Sequence, residues 1–133
     1  MHAEEIIIRE LYAAYLAAFH RCDATAVATF YSSPCLMVTE QSVDLMADET
    51  AIERLFAQLM EKLKLRDYSH SDVQELKVDL LSDRLAQVSG LALRYSKDGK
   101  ELERTGASYT LRKVDGRWKF VTALAHPLSN SGA

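Results

Sequence analysis

The side chains with chemical potential are scattered along this chain. His126 closes an apolar run, and an imidazole titrates near neutrality, so it could carry a proton. A histidine at that place equally suits a rim or an interface. Tyr12, Tyr15, Phe19, Phe30 and Tyr31 crowd the N-terminal quarter, which fits a core better than a ligand platform. Tyr15 is the exception to keep in view, because a buried phenol needs a hydrogen-bond partner. The chain has no HExxH pair and no Cys/His cluster, so no metal and no cofactor are expected. It also has no glycine-rich phosphate loop, and no Ser-His-Asp arrangement stands out. His70 reads as a loop or strand-edge residue, His2 and His20 as solvent-facing, and Arg94 and Arg112 as members of surface ion pairs.

A chain of 133 residues is one domain, residues 1–133, and buries roughly two-thirds of its unfolded surface. Its 48% hydrophobic and 26% charged content exclude disorder. A net charge of −3 lacks the basic footprint of a nucleic-acid binder. Cys22 and Cys35 read as free, buried thiols of a reducing compartment, with a disulfide between them the less favoured alternative, which points to the cytoplasm. The charges Glu4, Glu5, Arg9 and Glu10 break the N-terminal apolar run, so it is not a signal peptide. No apolar run is long enough to span a bilayer, so no membrane association is expected.

The elements that must position these groups follow from periodicity. Ile8, Leu11, Tyr12, Tyr15, Leu16 and Phe19 form one stripe on a helix from about Ala3 to His20. Asp23 caps a short second helix that carries Val27, Phe30 and Tyr31 and ends at Ser32-Ser33-Pro34. Cys35 to Thr39 reads as a buried strand, with a short partner from Val43 to Met46. Asp48 caps a third helix, whose stripe is Ile52, Leu55, Phe56, Leu59, Met60 and Leu63. Between Tyr68 and Leu81, Val73, Glu75, Lys77 and Asp79 alternate with Gln74, Leu76, Val78 and Leu80, as in a half-buried strand. Two Asp-Gly pairs, Asp98-Gly99 and Asp115-Gly116, divide the rest into a three-stranded meander closed by primed turns. Residues 128–133 read as a frayed tail.

This α-α-β-β-α-β-β-β-β order resembles the nuclear transport factor 2-like superfamily, including the SnoaL-like and ketosteroid isomerase-like proteins. The resemblance rests on the Tyr15-to-Tyr31 helix pair with Asp23 between, the strand after Pro34, the helix opening at Asp48, and Asp115-Gly116-Arg117-Trp118. It implies a cystatin-like α+β fold in which a curved mixed or antiparallel sheet wraps around helices. The sheet and helices form a cone with a pocket at its open end. It also implies homodimers formed through the outer sheet face. Ketosteroid isomerases place a tyrosine on the first helix, where Tyr15 falls. Their carboxylate base matches Thr39, with Glu40 its neighbour, and their protonated aspartate matches Tyr109. A histidine is frequent in relatives near the position of His126. No positioned base is evident, so steroid isomerisation is disfavoured.

The catalytic candidates are thus Tyr15, Glu40, Tyr109 and His126. Counting strand parity back from Gly99 turns Gln87, Ser89, Leu91, Leu93 and Tyr95 inward, and Ala86, Val88, Gly90, Ala92 and Arg94 outward. Tyr109 and Leu111 turn inward unless a bulge near Gly106 inverts them. The expected pocket lining is Tyr12, Tyr15, Phe19, Phe30, Tyr31, Met37, Thr39, Phe56, Gln87, Ser89, Leu91, Leu93 and Tyr109. The leading function is binding of a small apolar molecule. The alternative is an isomerase, dehydratase or cyclase using Tyr15 with His126 or Glu40, and a purely structural dimer domain is a third reading. The final strand is apolar on both faces, with Trp118, Phe120, Thr122 and Leu124 on one and Val121, Ala123 and Ala125 on the other. With the small residues read as outward, that pattern predicts a homodimer through the outer face.

Overall fold

The computed structural model describes residues 2–128. The expected tail, apart from Leu128, lies outside the described residues. The elements are α1 (Ala3–His20), α2 (Ala24–Ala28), β1 (Tyr31–Val38), β2 (Val43–Met46), α3 (Glu49–Leu65), β3 (Tyr68–Leu80), β4 (Leu85–Ser96), β5 (Glu101–Val114) and β6 (Arg117–Pro127). The strands form one open mixed sheet in the order β2-β1-β6-β5-β4-β3. Only β1 and β6 run parallel. Among the described residues no helix is long and apolar enough to cross a membrane.

Local chemistry accounts for the helix starts. Asp23 accepts from the Ala26 amide at 3.0 Å and Asp48 from the Ala51 amide at 2.8 Å, each satisfying an orphan donor of the first turn. The stripes of α1 and α3 then face the sheet, burying Ile8, Tyr12, Tyr15 and Phe19 from one and Ile52, Phe56, Met60 and Leu63 from the other. They meet Ala86, Val88, Leu111, Trp118 and Phe120 from the inner face of the sheet. Arg9 reaches across from α1 to the Leu76 carbonyl at 3.2 Å, where β3 is bulged and that carbonyl is spare.

Several strand expectations require correction. Tyr31 opens β1 and does not continue the second helix, because the β1–β6 register starts at Tyr31 opposite Phe120. Pro34, which has no amide to donate, sits in the irregular stretch between Tyr31 and Leu36. Asp115-Gly116 forms the expected two-residue primed turn, with both residues at positive φ. Asp98-Gly99 does not. Only Gly99 has positive φ, and Ser96 donates to the Lys100 carbonyl across a three-residue loop.

Parity in β4 is therefore the reverse of the expectation. The longer loop is offset by a bulge in β5 at Leu102, so Arg94 pairs with Glu103 and Val88 with Tyr109. Directly paired residues share a face, so Ala86, Val88, Gly90, Ala92 and Arg94 turn inward with Tyr109. Gln87, Ser89, Leu91, Leu93 and Tyr95 turn outward. Leu93 is buried, yet it stands apart from the helix-side core. A second bulge, at Val121, breaks the alternation of β6, so Phe120 and Ala123 both face inward while Thr122 and Leu124 face outward. In β3 the bulge at Glu75 and Leu76 puts Val73 inward and Gln74 outward. The small residues Ala86, Val88, Gly90 and Ala92 thus underlie the helices and cannot furnish an outer interface. His20 is half-buried, its Nε2 3.0 Å from the Ser71 carbonyl, because the end of α1 rests on β3.

Candidate functional site

The helices and the inner face of the sheet leave a cavity of about 340 Å³ between them. Helical spacing brings Tyr12, Tyr15, Leu16 and Phe19 of α1 onto one wall, and Leu55, Phe56 and Leu59 of α3 onto another. Met37 and Thr39 contribute from β1 and its exit. The floor explains why there is a void. Ala92 on β4, Ala107 on β5 and Ala123 and Ala125 on β6 all face it, and Ala107 lies directly opposite Ala125. Farther along the same strands the inward residues are Val88, Leu111 and Phe120, and there the space is filled. A sheet floor of methyl groups beneath helices that carry large side chains is a container.

Four phenols converge on its inner end. The hydroxyls of Tyr15 and Tyr31 lie 3.0 Å apart, fully buried. The rings of Tyr12 and Tyr15 stand 5.5 and 6.0 Å from Tyr109, each edge to face. Burial pushes all four phenols above the ordinary tyrosine value, since a phenolate there would lose its water. At neutral pH they are hydrogen-bonding groups and not bases. Burial likewise pushes the Cys35 thiol up to about 11.

Sequence reasoning missed Arg94. It enters the cavity from β4 and lays its guanidinium over the Phe19 ring, 5.3 Å from the centroid. Its Nε lies 3.1 Å from Glu103 Oε1, within ion-pair distance but out of line for a hydrogen bond. Its Nη1 is buried with no hydrogen-bond partner. The signal was present in the cross-strand pairing, which ties Arg94 to the face of Tyr109 once the β5 bulge is counted. At the mouth stand Lys62 and Asp44, both exposed, with Asp44 accepting from Ser42.

The structure places the other expected site residues as follows. Tyr12, Tyr15, Phe19, Tyr31, Met37, Thr39, Phe56 and Tyr109 line the cavity. Phe30 packs at its edge against Tyr15 but lines a separate surface depression beside Trp118. Gln87, Ser89, Leu91 and Leu93 point the other way, for the parity reason given above. Glu40 is exposed in the turn between β1 and β2. His126 is exposed on the outer face, its ring over Gly106, where a Cβ would come within 2.3 Å of it. Neither can reach the phenols. Among the described residues no three His, Cys, Asp or Glu side chains are grouped to hold a metal ion.

Residues 3–128 match a family described as NTF2-like protein (DUF6841). The chain belongs to that NTF2-like family. No curated protein sequence matches it. Solved structures share its fold at low identity. An NTF2-like protein with a cystatin-like fold from Novosphingobium aromaticivorans is 17% identical, with a TM-score of 0.76 over 92% of this chain and 80% of that one. A ketosteroid isomerase-like protein from Erwinia carotovora atroseptica is 18% identical, with a TM-score of 0.72 over 97% and 99%. Aln2 from a Streptomyces species is 14% identical, with a TM-score of 0.79 over 96% and 93%. At these identities the likeness speaks for the NTF2-like fold, and the chemistry must be argued from the site itself.

Proposed function

We propose that this NTF2-like domain binds a small, mostly apolar molecule in the cone cavity and does not transform it. One observation carries the reading: the cavity joins an alanine floor and aromatic walls to a few convergent phenols, and among the described residues no base reaches its interior. Apolar walls with a few fixed polar groups suit binding. Proton transfer would need a titratable group within reach of the ligand. Among the described lining residues Asp44 is the sole carboxylate, and it sits exposed at the mouth. An isomerase, dehydratase or cyclase would have to use it, and that reading ranks second. The pairing of two copies through the outer sheet face belongs to the same proposal, now resting on Leu91 and Leu124 as outward groups with exposed surface.

The test is to fill the container. Ala107→Leu projects three more carbons from the floor into the void. A neutral aromatic probe, 2-naphthamide, should bind the wild-type protein in a calorimetric titration and fail to bind the variant. Wild-type protein that does not bind the probe, or a variant that binds it equally, overturns the reading.

A further inference from the structure

We propose that the ligand is an aromatic or aliphatic carboxylate whose anionic group docks on Arg94 in the wall of the cavity. The inference rests on the binding reading above and specifies the chemistry of its ligand.

A guanidinium carries five donors and cannot shed its charge, so burying one without partners is costly. Arg94 is 19% exposed at the side chain, and its Nε and Nη1 are both buried without a hydrogen bond. Among the described residues the one carboxylate within ion-pair distance of it is Glu103, misaligned at Nε and shared with Arg66, whose Nη1 is 3.4 Å from the same oxygen. Glu103 therefore compensates the charge in part and leaves the Nη1 edge of the fork unused. The Phe19 ring fixes the guanidinium plane from one side. The fork thus belongs to a cavity whose remaining walls are mostly apolar, with Tyr12, Ser71, Thr105 and Tyr109 adding hydroxyls to the lining. A planar carboxylate matches this: two oxygens for a planar fork, one negative charge for a guanidinium that shares its one carboxylate with Arg66, and an apolar body for the alanine floor. A doubly charged phosphate would exceed the single interior cation. The remaining cation, Lys62, is out at the mouth.

The experiment compares 2-naphthoate with 2-naphthamide, which share a shape and differ by a charge, in calorimetric titrations at neutral pH. The wild-type protein should bind the acid about ten-fold or more tightly than the amide, as expected for a charge-assisted pair in a desolvated site. Arg94→Met, which keeps the length of the stem, should abolish that preference, so that acid and amide bind alike. Glu103→Gln removes the competing carboxylate at an exposed position. It should tighten the acid several-fold and leave the amide unchanged, and it tests the idea even where Arg94→Met fails to fold. Equal binding of acid and amide by wild-type protein, an acid preference that survives Arg94→Met, or an acid affinity indifferent to Glu103→Gln overturns the Arg94 anchor while leaving the cavity as a binding site. If neither probe binds, both the anchor and the broader binding reading fall.

Discussion

Tyr15 is the hub of the buried phenols, and substituting it should cost more than its hydroxyl alone. Its oxygen lies 3.0 Å from that of Tyr31, and the Tyr109 hydroxyl is its other polar neighbour. Among the described residues Tyr15 is the one hydrogen-bond partner of the Tyr31 hydroxyl. Tyr15→Phe therefore leaves the Tyr31 hydroxyl buried and unpaired, adding a desolvation penalty to the lost bond. We expect about 2 kcal/mol of destabilisation. Tyr31→Phe leaves Tyr15 with Tyr109, and about 1 kcal/mol is expected. The double variant removes both ends and leaves no orphan, so its cost should fall below the sum of the singles by about 1 kcal/mol. Urea denaturation of the four proteins at constant m-value measures this cycle directly. Additive effects, or a Tyr15→Phe variant indistinguishable from wild type, would refute the hydrogen-bonded pair as a structural element.

The same phenols make stability sensitive to alkali. Their values are raised in the fold and near 10 in the unfolded chain, so the stability they support is whole below pH ~10 and lost as the pH rises beyond it. Each phenol held protonated should steepen that loss by about 1.4 kcal/mol per pH unit, read as a cooperative rise in phenolate absorbance coincident with unfolding. Phe56, buried against the rings of Tyr31 and Phe19 at 5.2 and 6.4 Å, should cost about 3–5 kcal/mol when changed to Ala. Leu65 on the same helix, 89% exposed, should cost less than about 0.5 kcal/mol, and equal melting temperatures for the two variants would show that α3 is misplaced. Light scattering should return twice the 14.9 kDa chain mass, and Leu91→Glu on the outer face should return it to one. A monomeric wild-type protein would sink the pairing.

The helices were legible because their signals are redundant. Asp23 and Asp48 cap them, and apolar residues at spacings of three and four repeat for several turns, so one deviant residue changes nothing. The Asp115-Gly116 turn was legible for a similar reason: two positive φ values admit few residue types. Strand faces have no such redundancy. A period of two means that one extra residue inverts everything beyond it. The bulges at Leu102 and Val121, and the three-residue loop before Lys100, are set by pairing with strands that composition does not identify. Half of the site was legible as a result. Tyr12, Tyr15 and Phe19 came from a helix, whereas Arg94 and the alanine floor came from strands whose parity only the register reveals.

The parallel contact between β1 and β6 has a consequence for how the chain comes to exist. Tyr31 meets Phe120, so the first strand finds its inner neighbour only after some ninety further residues, through β6, are present. Contacts of such sequence separation are paid for in loop entropy before they yield anything, and they slow folding. During synthesis α1 can form early, but its tyrosines must wait for β6 to complete the floor beneath them. In that interval β1 presents an unpaired edge and an uncovered aromatic surface. The nascent chain is therefore most exposed to misassociation just before its last strand emerges, and variants that weaken β6 should lower yield in cells more than they lower the stability of the finished protein.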